Sequence, residues 1–303
     1  MNFKIWIKAF RIRTLPLSLS CIAMGNFIAY YDGSFNWLIF LFSFITTIFL
    51  QILSNLANDY GDSKYGADNP ERLGPERAVQ GGLISSASMK LMIWIFAILS
   101  LASGLILLSI SKLGDLSYFV FFILGVIAII AAIGYTISVK KPYGYKGLGD
   151  ISVFLFFGLL AVVGSYYLQT RTIDPYLLLP AATCGFFATG VLNINNIRDI
   201  ESDKVAGKIS VPVRIGLQNA VIYHGILLFG GFGLSIVYSL VNFESTYQFI
   251  YLVTLPLFYR NFQAVKNIGS SELLDPYLKQ LSISILIFVM LFGLGLAYNS
   301  LNL

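Results

Sequence analysis

The sequence has 303 residues, 57% of them hydrophobic and only 12% charged, with a mean hydropathy of +0.77. A soluble domain carries about a quarter charged residues, so this composition excludes an ordinary water-soluble globule. The net charge of +5 and pI near 9.0 give no reason to expect nucleic acid, because membrane proteins collect Lys and Arg in cytoplasmic loops.

The amino-terminal stretch MNFKIWIKAFRIRTLPLS is basic and amphipathic and leads straight into an apolar run, with no cleavable signal pattern. Nine runs then read as membrane helices: Leu15–Tyr31, Asn36–Leu56, Leu91–Ile110, Leu116–Val139, Ile151–Gln169, Tyr176–Leu192, Val221–Val241, Ser245–Tyr259 and Leu281–Tyr298. A helix needs about 20 residues to cross the hydrocarbon core, and the eighth run is the shortest. The expected fold is an all-α integral membrane bundle of nine transmembrane helices, one domain over residues 1–303.

With the amino terminus placed in the cytoplasm, all of the 20 Lys and Arg except Lys112 and Arg171 fall on the cytoplasmic side, and the carboxyl terminus falls outside. The same placement puts all of the 15 acids except Asp32, Asp115, Asp174 and Glu244 on that side. The positive-inside rule does not ask for cytoplasmic acids, so they need another cause. Cys21 and Cys184 lie in apolar runs, with no CxxC and no disulfide framework. The single histidine, His224, reads as a packed residue of the seventh span.

Most of the cytoplasmic acids sit in two connections. After the second span come Asn55, Asn58, Asp59, Asp62 and Asp68. If the helix continues past Leu56, Asn58 and Asp62 share a face one turn apart, and Asp59 neighbours Asp62. Asp68 then returns from a loop beyond Gly66. After the sixth span, Asn195, Asp199 and Asp203 recur every four residues and form one polar stripe if that helix continues. A single acidic cluster after a membrane helix is usually a solvated loop. Two clusters sharing an Asn-xxx-Asp element fit a different reading. Clustered carboxylates near a low-dielectric medium need cations. Asp and Asn oxygens suit Mg²⁺, which binds through a few carboxylates plus substrate phosphates.

Basic residues flank both clusters. Arg72, Arg77, Lys140 and Lys141 are placed to clamp phosphate oxygens or an aromatic carboxylate, or else serve as positive-inside anchors. Lys204 and Lys208 follow Asp203 and fit a diphosphate role. Tyr135, near the cytoplasmic end of the fourth span, offers a ring face to a carbocation.

On Asn58-Asp59-Tyr-Gly-Asp62 with Asp68, and on Asp199-xxx-Asp203 ahead of Gly207-Lys208, the sequence resembles the UbiA superfamily of membrane prenyltransferases. Within that superfamily it looks most like the menaquinone branch, the 1,4-dihydroxy-2-naphthoate polyprenyltransferases. Asp68 lies six residues after Asp62; Arg72-Leu-Gly-Pro-Glu-Arg77 follows; then come Gly144-Tyr-Lys-Gly147-Leu-Gly149-Asp150 and Gly164-Ser-Tyr-Tyr-Leu-Gln169. Ile12, and Ser20 or Cys21, stand where the branch often has Pro.

The resemblance implies an enzyme of the cell (inner) membrane that transfers a polyprenyl group from its diphosphate to 1,4-dihydroxy-2-naphthoate with loss of CO₂. Asn58, Asp62, Asp199 and Asp203 would be the principal Mg²⁺ ligands, with Asp59, Asp68 and Asn195 at or just behind the metal. Arg77, Lys140, Lys204 and Lys208 would hold the diphosphate, and Tyr135, Lys141 and Arg72 would serve the reaction. The competing readings are another aromatic acceptor, such as 4-hydroxybenzoate or homogentisate, or a cation transporter. Transporters tend to place coupling acids near the midplane, whereas here every acid falls at a span end or in a loop.

Overall fold

A computed structural model describes residues 3–65, 77–138, 141–267 and 271–301, and among these every regular element is helical. An amphipathic helix, α1 (Phe3–Phe10), lies ahead of the first membrane helix and buries Trp6 and Ala9. A 3-10 turn at Ile12–Thr14 leads into α2 (Leu15–Tyr31), which carries a proline in its first turn. There the missing N–H has no intrahelical partner to lose. Next come α3 (Trp37–Tyr65), α4 (Ser86–Ile110, capped by the Ser85 side chain) and α5 (Asp115–Gly134).

The fifth apolar run is composite: α6 (Gly149–Val153), a π-helical stretch Phe154–Val163, and α7 (Gly164–Thr170). Then follow α8 (Leu178–Arg198), the short α9 (Ile200–Val205), α10 (Val211–Val241), α11 (Leu255–Lys266) and α12 (Asp275–Leu301).

Among the described residues, eight helical runs are long and apolar enough to cross a bilayer: Phe3–Tyr31, Trp37–Tyr65, Ser86–Ile110, Asp115–Gly134, Gly149–Thr170, Pro175–Arg198, Val211–Val241 and Asp275–Tyr298. The chain is a multi-pass integral membrane protein. The run expected at Ser245–Tyr259 is instead a 3-10 helix, Thr246–Thr254, that passes into α11. Pro256 sits in the first turn of α11, where proline starts a helix readily but cannot continue one. Two further boundaries differ from expectation. Helix α3 runs nine residues past Leu56 and so carries the first acidic motif on regular helix. Helix α10 begins at Val211 rather than Val221, but Gly216 (φ 78°, ψ 164°) breaks its first turns in a conformation open essentially to glycine alone.

The main core joins α2, the π-helical stretch, α8, α10, α11 and α12. Phe187, Phe232, Phe258 and Phe288 pack there with ring centroids 4.7–6.1 Å apart. Lipid is as apolar as Leu, so close packing and interhelical hydrogen bonds hold such bundles together. Both are present. A Cβ on Gly158 would lie 2.7 Å from the Ala181 carbonyl oxygen, so glycine sets how closely the π-helical stretch approaches α8. Gln169 donates to Asn26 Oδ1 (2.8 Å) and accepts from the Asn36 amide (2.8 Å), tying α7 to the far ends of α2 and α3. His224 is fully buried against Asn261 (3.0 Å), a packed residue as expected. Cys21 and Cys184 are buried free thiols.

Candidate active site

One end of the bundle gathers the polar residues around the mouth of a cavity of about 480 Å³. Helix α3 delivers Asn58 and Asp62 to it from one side, and α8 and α9 deliver Asn195, Asn196, Asp199 and Asp203 from the other. Beyond this mouth the cavity is walled by α4, α5 and the π-helical stretch, through residues such as Leu105, Leu108, Phe122, Ile129, Phe156 and Leu160.

The two acidic motifs reach the mouth by different local devices. On α3, Gly61 lets the helix lie against the segment after α5, since a Cβ there would sit 2.4 Å from the Thr136 carbonyl oxygen. The Thr136 hydroxyl then donates to the Ala57 carbonyl (2.9 Å) and to Asn58 Oδ1 (3.2 Å), fixing the Asn58 amide. At the other motif, α8 ends at Arg198 and Asp199 leaves helical geometry, yet the chain continues the turn into α9. The Asp199 amide bonds the Asn195 carbonyl (3.1 Å), and the Asp203 amide bonds the Asp199 carbonyl (2.8 Å). The expected stripe of Asn195, Asp199 and Asp203 therefore survives a helix break, and all three line the cavity.

Each cavity acid has a cation beside it. Asp62 pairs with Arg77 (2.6 Å) and accepts a hydrogen bond from the Tyr145 hydroxyl (2.8 Å). Asp199 takes both forks of Arg198, Nε at 2.9 Å and Nη2 at 2.7 Å. The same guanidinium reaches Asn195 Oδ1 (2.9 Å) and Asp275 (2.6 Å). Asp203 pairs with Lys208 at 3.1 Å. A left-handed turn at Gly207 (φ 65°) brings Lys208 back to it, and the Lys208 amide bonds the Asp203 carbonyl (2.8 Å). Burial works against charge on Lys208, but Asp203, Tyr135, Asp62 and Asp199 outweigh it and hold the ammonium above the usual lysine range. Burial also raises Asp203 above the usual carboxylate range, against the pull of Lys208. Burial pushes the Tyr135 phenol up to about 12. Burial and the nearby Asp62 charge raise Tyr145 as well, so both phenols stay protonated near neutral pH.

Some expected site residues lie elsewhere. Asp59 points away from the cavity and accepts from the Ala78 (3.1 Å) and Val79 (3.2 Å) amides, anchoring the chain that follows the first motif. Lys141 donates to the Gly207 carbonyl at 2.5 Å and is not a cavity residue. Lys204 pairs with Glu201 (2.8 Å), with side chains 49% and 69% exposed, again outside the cavity. Tyr135, Arg77 and Lys208 do line it. Asp68, Arg72 and Lys140 lie outside the described residues.

Sequence reasoning passed over Arg198 and Tyr145. Arg198 stands three residues after Asn195, a spacing that places it on the same helix face. Tyr145 carries no such signal, because only the folded loop brings it to Asp62. Neither Arg198 nor Tyr145 lines the cavity; both reach its acids from behind, whereas Arg11, Arg13 and Lys279 border it directly. Arg11 does so with a left-handed backbone (φ 49°).

The donor set is oxygen throughout. Among the described residues, no three His, Cys, Asp or Glu side chains gather tightly enough to hold an ion by themselves. Asn196 Oδ1, on the same wall, is buried without a hydrogen-bond partner. That arrangement fits a hard cation shared with ligand oxygens and not caged by protein alone.

The sequence matches the UbiA prenyltransferase family over residues 18–273. It is similar to the 1,4-dihydroxy-2-naphthoate octaprenyltransferase of Escherichia coli, 43% identical over 291 residues, which covers 96% of this chain and 94% of that one. It is equally similar to the protein of the same name from Haemophilus influenzae, 43% identical over 299 residues, covering 97% and 96%. The fold is like that of a UbiA homolog from Aeropyrum pernix (TM-score 0.70, 14% identical, 96% and 99% covered). It is also like a UbiA homolog from Archaeoglobus fulgidus bound to GPP and Mg²⁺ (TM-score 0.60, 17% identical, 95% and 99% covered). The family match spans both acidic motifs and the near-full-length identity is high, and on these grounds the chain belongs to the UbiA prenyltransferase family.

Proposed function

We propose that this chain, acting as a single domain, transfers a polyprenyl group from polyprenyl diphosphate to 1,4-dihydroxy-2-naphthoate, releasing CO₂ and diphosphate and giving demethylmenaquinol. The observation that carries this reading is the convergence of Asn58, Asp62, Asn195, Asp199 and Asp203 at the polar mouth of an otherwise apolar cavity. The names of the two 43%-identical relatives supply the acceptor.

In this reading Asp62, Asp199 and Asp203, with Asn58 and Asn195, would hold Mg²⁺, whose charge would offset that of the departing diphosphate. Arg77 and Lys208 stand beside those carboxylates as the cations that meet phosphate oxygens. The bond from the prenyl C1 to oxygen breaks, and its electron pair leaves with diphosphate. The allylic cation is met by the ring carbon that carries the acceptor's carboxylate. Loss of CO₂ leaves its bonding pair in the ring and restores aromaticity. Tyr135, neutral at physiological pH, borders the cavity where its ring face stabilises positive charge. The apolar walls keep water from the cation. The chain sits in the cell inner membrane, with the amino terminus and the motif end cytoplasmic and the carboxyl terminus outside, on the split of Lys and Arg.

The test is incubation of purified protein with a polyprenyl diphosphate, Mg²⁺ and, in parallel, 1,4-dihydroxy-2-naphthoate, 4-hydroxybenzoate and homogentisate, read by mass spectrometry with an EDTA control. A decarboxylated product from the naphthoate alone, abolished by EDTA, is expected. Product from another acceptor would overturn the acceptor assignment, and product that survives EDTA would overturn the metal.

A further inference from the structure

The apolar arm of the cavity is as specific in shape as its mouth. It follows α3 from Asp62 back to Ser43, both cavity residues. That is 19 residues of helix, or about 28 Å at 1.5 Å per residue. On α5 and its C-cap the facing stripe is Phe121, Gly125, Ala128, Ala132 and Tyr135. On α4 it is Leu101, Gly104 and Leu108. Two glycines thus occupy the centres of the two stripes.

Neither glycine serves close helix packing. A Cβ on Gly125 would meet nothing within 4 Å, and one on Gly104 would meet only the Thr46 methyl at 3.9 Å. Gly158, Gly61 and Gly25 are of the other kind, with protein atoms within 2.7 Å of an added Cβ. Glycine in a helix interior costs roughly 0.5–1 kcal/mol relative to Ala, and at Gly104 and Gly125 no packing gain offsets it. What these two glycines provide is bore. The cavity they widen also holds, at its mouth, the buried and unpartnered Asn196 Oδ1.

We propose that Gly104 and Gly125 set the length of prenyl chain that the enzyme accepts, by keeping the arm open beyond the reach of a short tail. This rests on the prenyl-transfer reading above. Depth supports it. Thr46, the neighbour of Gly104, is 12 residues along α3 from Asn58, about 18 Å from the mouth. Gly125 is 11 residues along the chain from Thr136, which bonds Asn58, and so lies about 16 Å deep on the opposite wall. Each isoprene unit adds four chain carbons, about 5 Å when extended at carbon–carbon bonds near 1.5 Å. A geranyl tail, with two units, ends short of both glycines. A geranylgeranyl tail, with four, reaches them, and an octaprenyl tail must pass between them. The occupant is therefore the substrate's own hydrocarbon chain, continuous with the diphosphate site.

The experiment compares wild type with Gly104→Leu and Gly125→Leu, using geranyl, geranylgeranyl and octaprenyl diphosphates with 1,4-dihydroxy-2-naphthoate and Mg²⁺. The ratio of kcat/KM for geranyl over octaprenyl diphosphate is expected to rise at least tenfold in each variant. The Ala variants should give smaller rises in the same direction. Val120→Leu, on the exposed face of α5 outside the cavity, should leave the ratio where it is. Turnover of geranyl diphosphate reports that each variant is folded. A ratio unchanged from wild type, or an equal loss with all three chain lengths, would overturn the proposal. A second readout is thermal stabilisation of the protein by each diphosphate without acceptor. Stabilisation by the octaprenyl compound should weaken selectively in the Leu variants, and stabilisation equal to wild type would count against the proposal. Failure of the parent reading looks different: wild type itself would prenylate no acceptor.

Discussion

Replacing Tyr145 with Phe isolates a single interaction at the site. The Tyr145 hydroxyl donates to Asp62 Oδ1 at 2.8 Å, and the ring is 2% exposed. Burial and the Asp62 charge both raise the phenol, so it remains a donor across the working pH range. Phe keeps the ring and its tilted packing against Tyr65 (centroids 6.0 Å), so the loop should not collapse. Asp62 is 6% exposed and water cannot readily replace the lost donor. A hydrogen bond to a charged group contributes about 1.5–3 kcal/mol. If that much positioning is lost in the transition state, kcat/KM falls by between about tenfold and about a hundredfold. Arg77 still holds the other oxygen at 2.6 Å, which sets the loss below that of removing the carboxylate. The assay is steady-state kinetics with a Mg²⁺ titration, and the half-saturating Mg²⁺ concentration should rise with the loss. Rates within twofold of wild type would refute the reasoning, since Asp62 would then need neither that anchor nor that position.

We further predict that Asp62→Ala and Asp199→Ala abolish turnover while the protein still inserts in the membrane; near-wild-type activity in either would sink the metal assignment. Lys204→Ala should change activity less than twofold, because its exposed pair with Glu201 contributes at most about 1 kcal/mol and lies outside the cavity. A large loss would return Lys204 to the diphosphate site. Gly158→Val should lower thermal stability by about 1–3 kcal/mol, as overpacking does, since its Cβ would fall 2.7 Å from the Ala181 carbonyl oxygen; an unchanged Tm in detergent would contradict the packing described.

Helical spacing made much of the site legible. Asn58 and Asp62 are four apart on what proves to be regular helix, and Asn195, Asp199 and Asp203 hold their face across a break. Adjacency was less reliable. Asp59 follows Asn58 directly, but each residue turns an α-helix by about 100°, and that turn sends Asp59 to the Ala78 and Val79 amides. Lys204 is displaced in the same way from Asp203. Charge alone marked Lys141, and charge does not say which way a side chain faces. Tyr145 could be found only after the loop had folded over Asp62. The run from Ser245 was short in hydropathy because Arg260, Asn261 and Gln263 end its apolar stretch, while the helix itself continues to Lys266. The π-helical stretch was invisible because its sequence, FLFFGLLAVV, is simply apolar.

That stretch constrains how the chain can vary. Its hydrogen bonds close wider turns than those of an α-helix, so it fixes the angle at which everything after Val163 emerges. Ser165 must meet the Ile22 carbonyl, and Gln169 must meet Asn26 and Asn36. One residue added or removed between Phe154 and Val163 would swing all of these off their partners, whereas, Gly158 apart, exchanging one apolar residue for another of similar size should leave them in place. Length there should therefore vary less than identity, and insertions that separate relatives should fall on either side of this decapeptide and not within it.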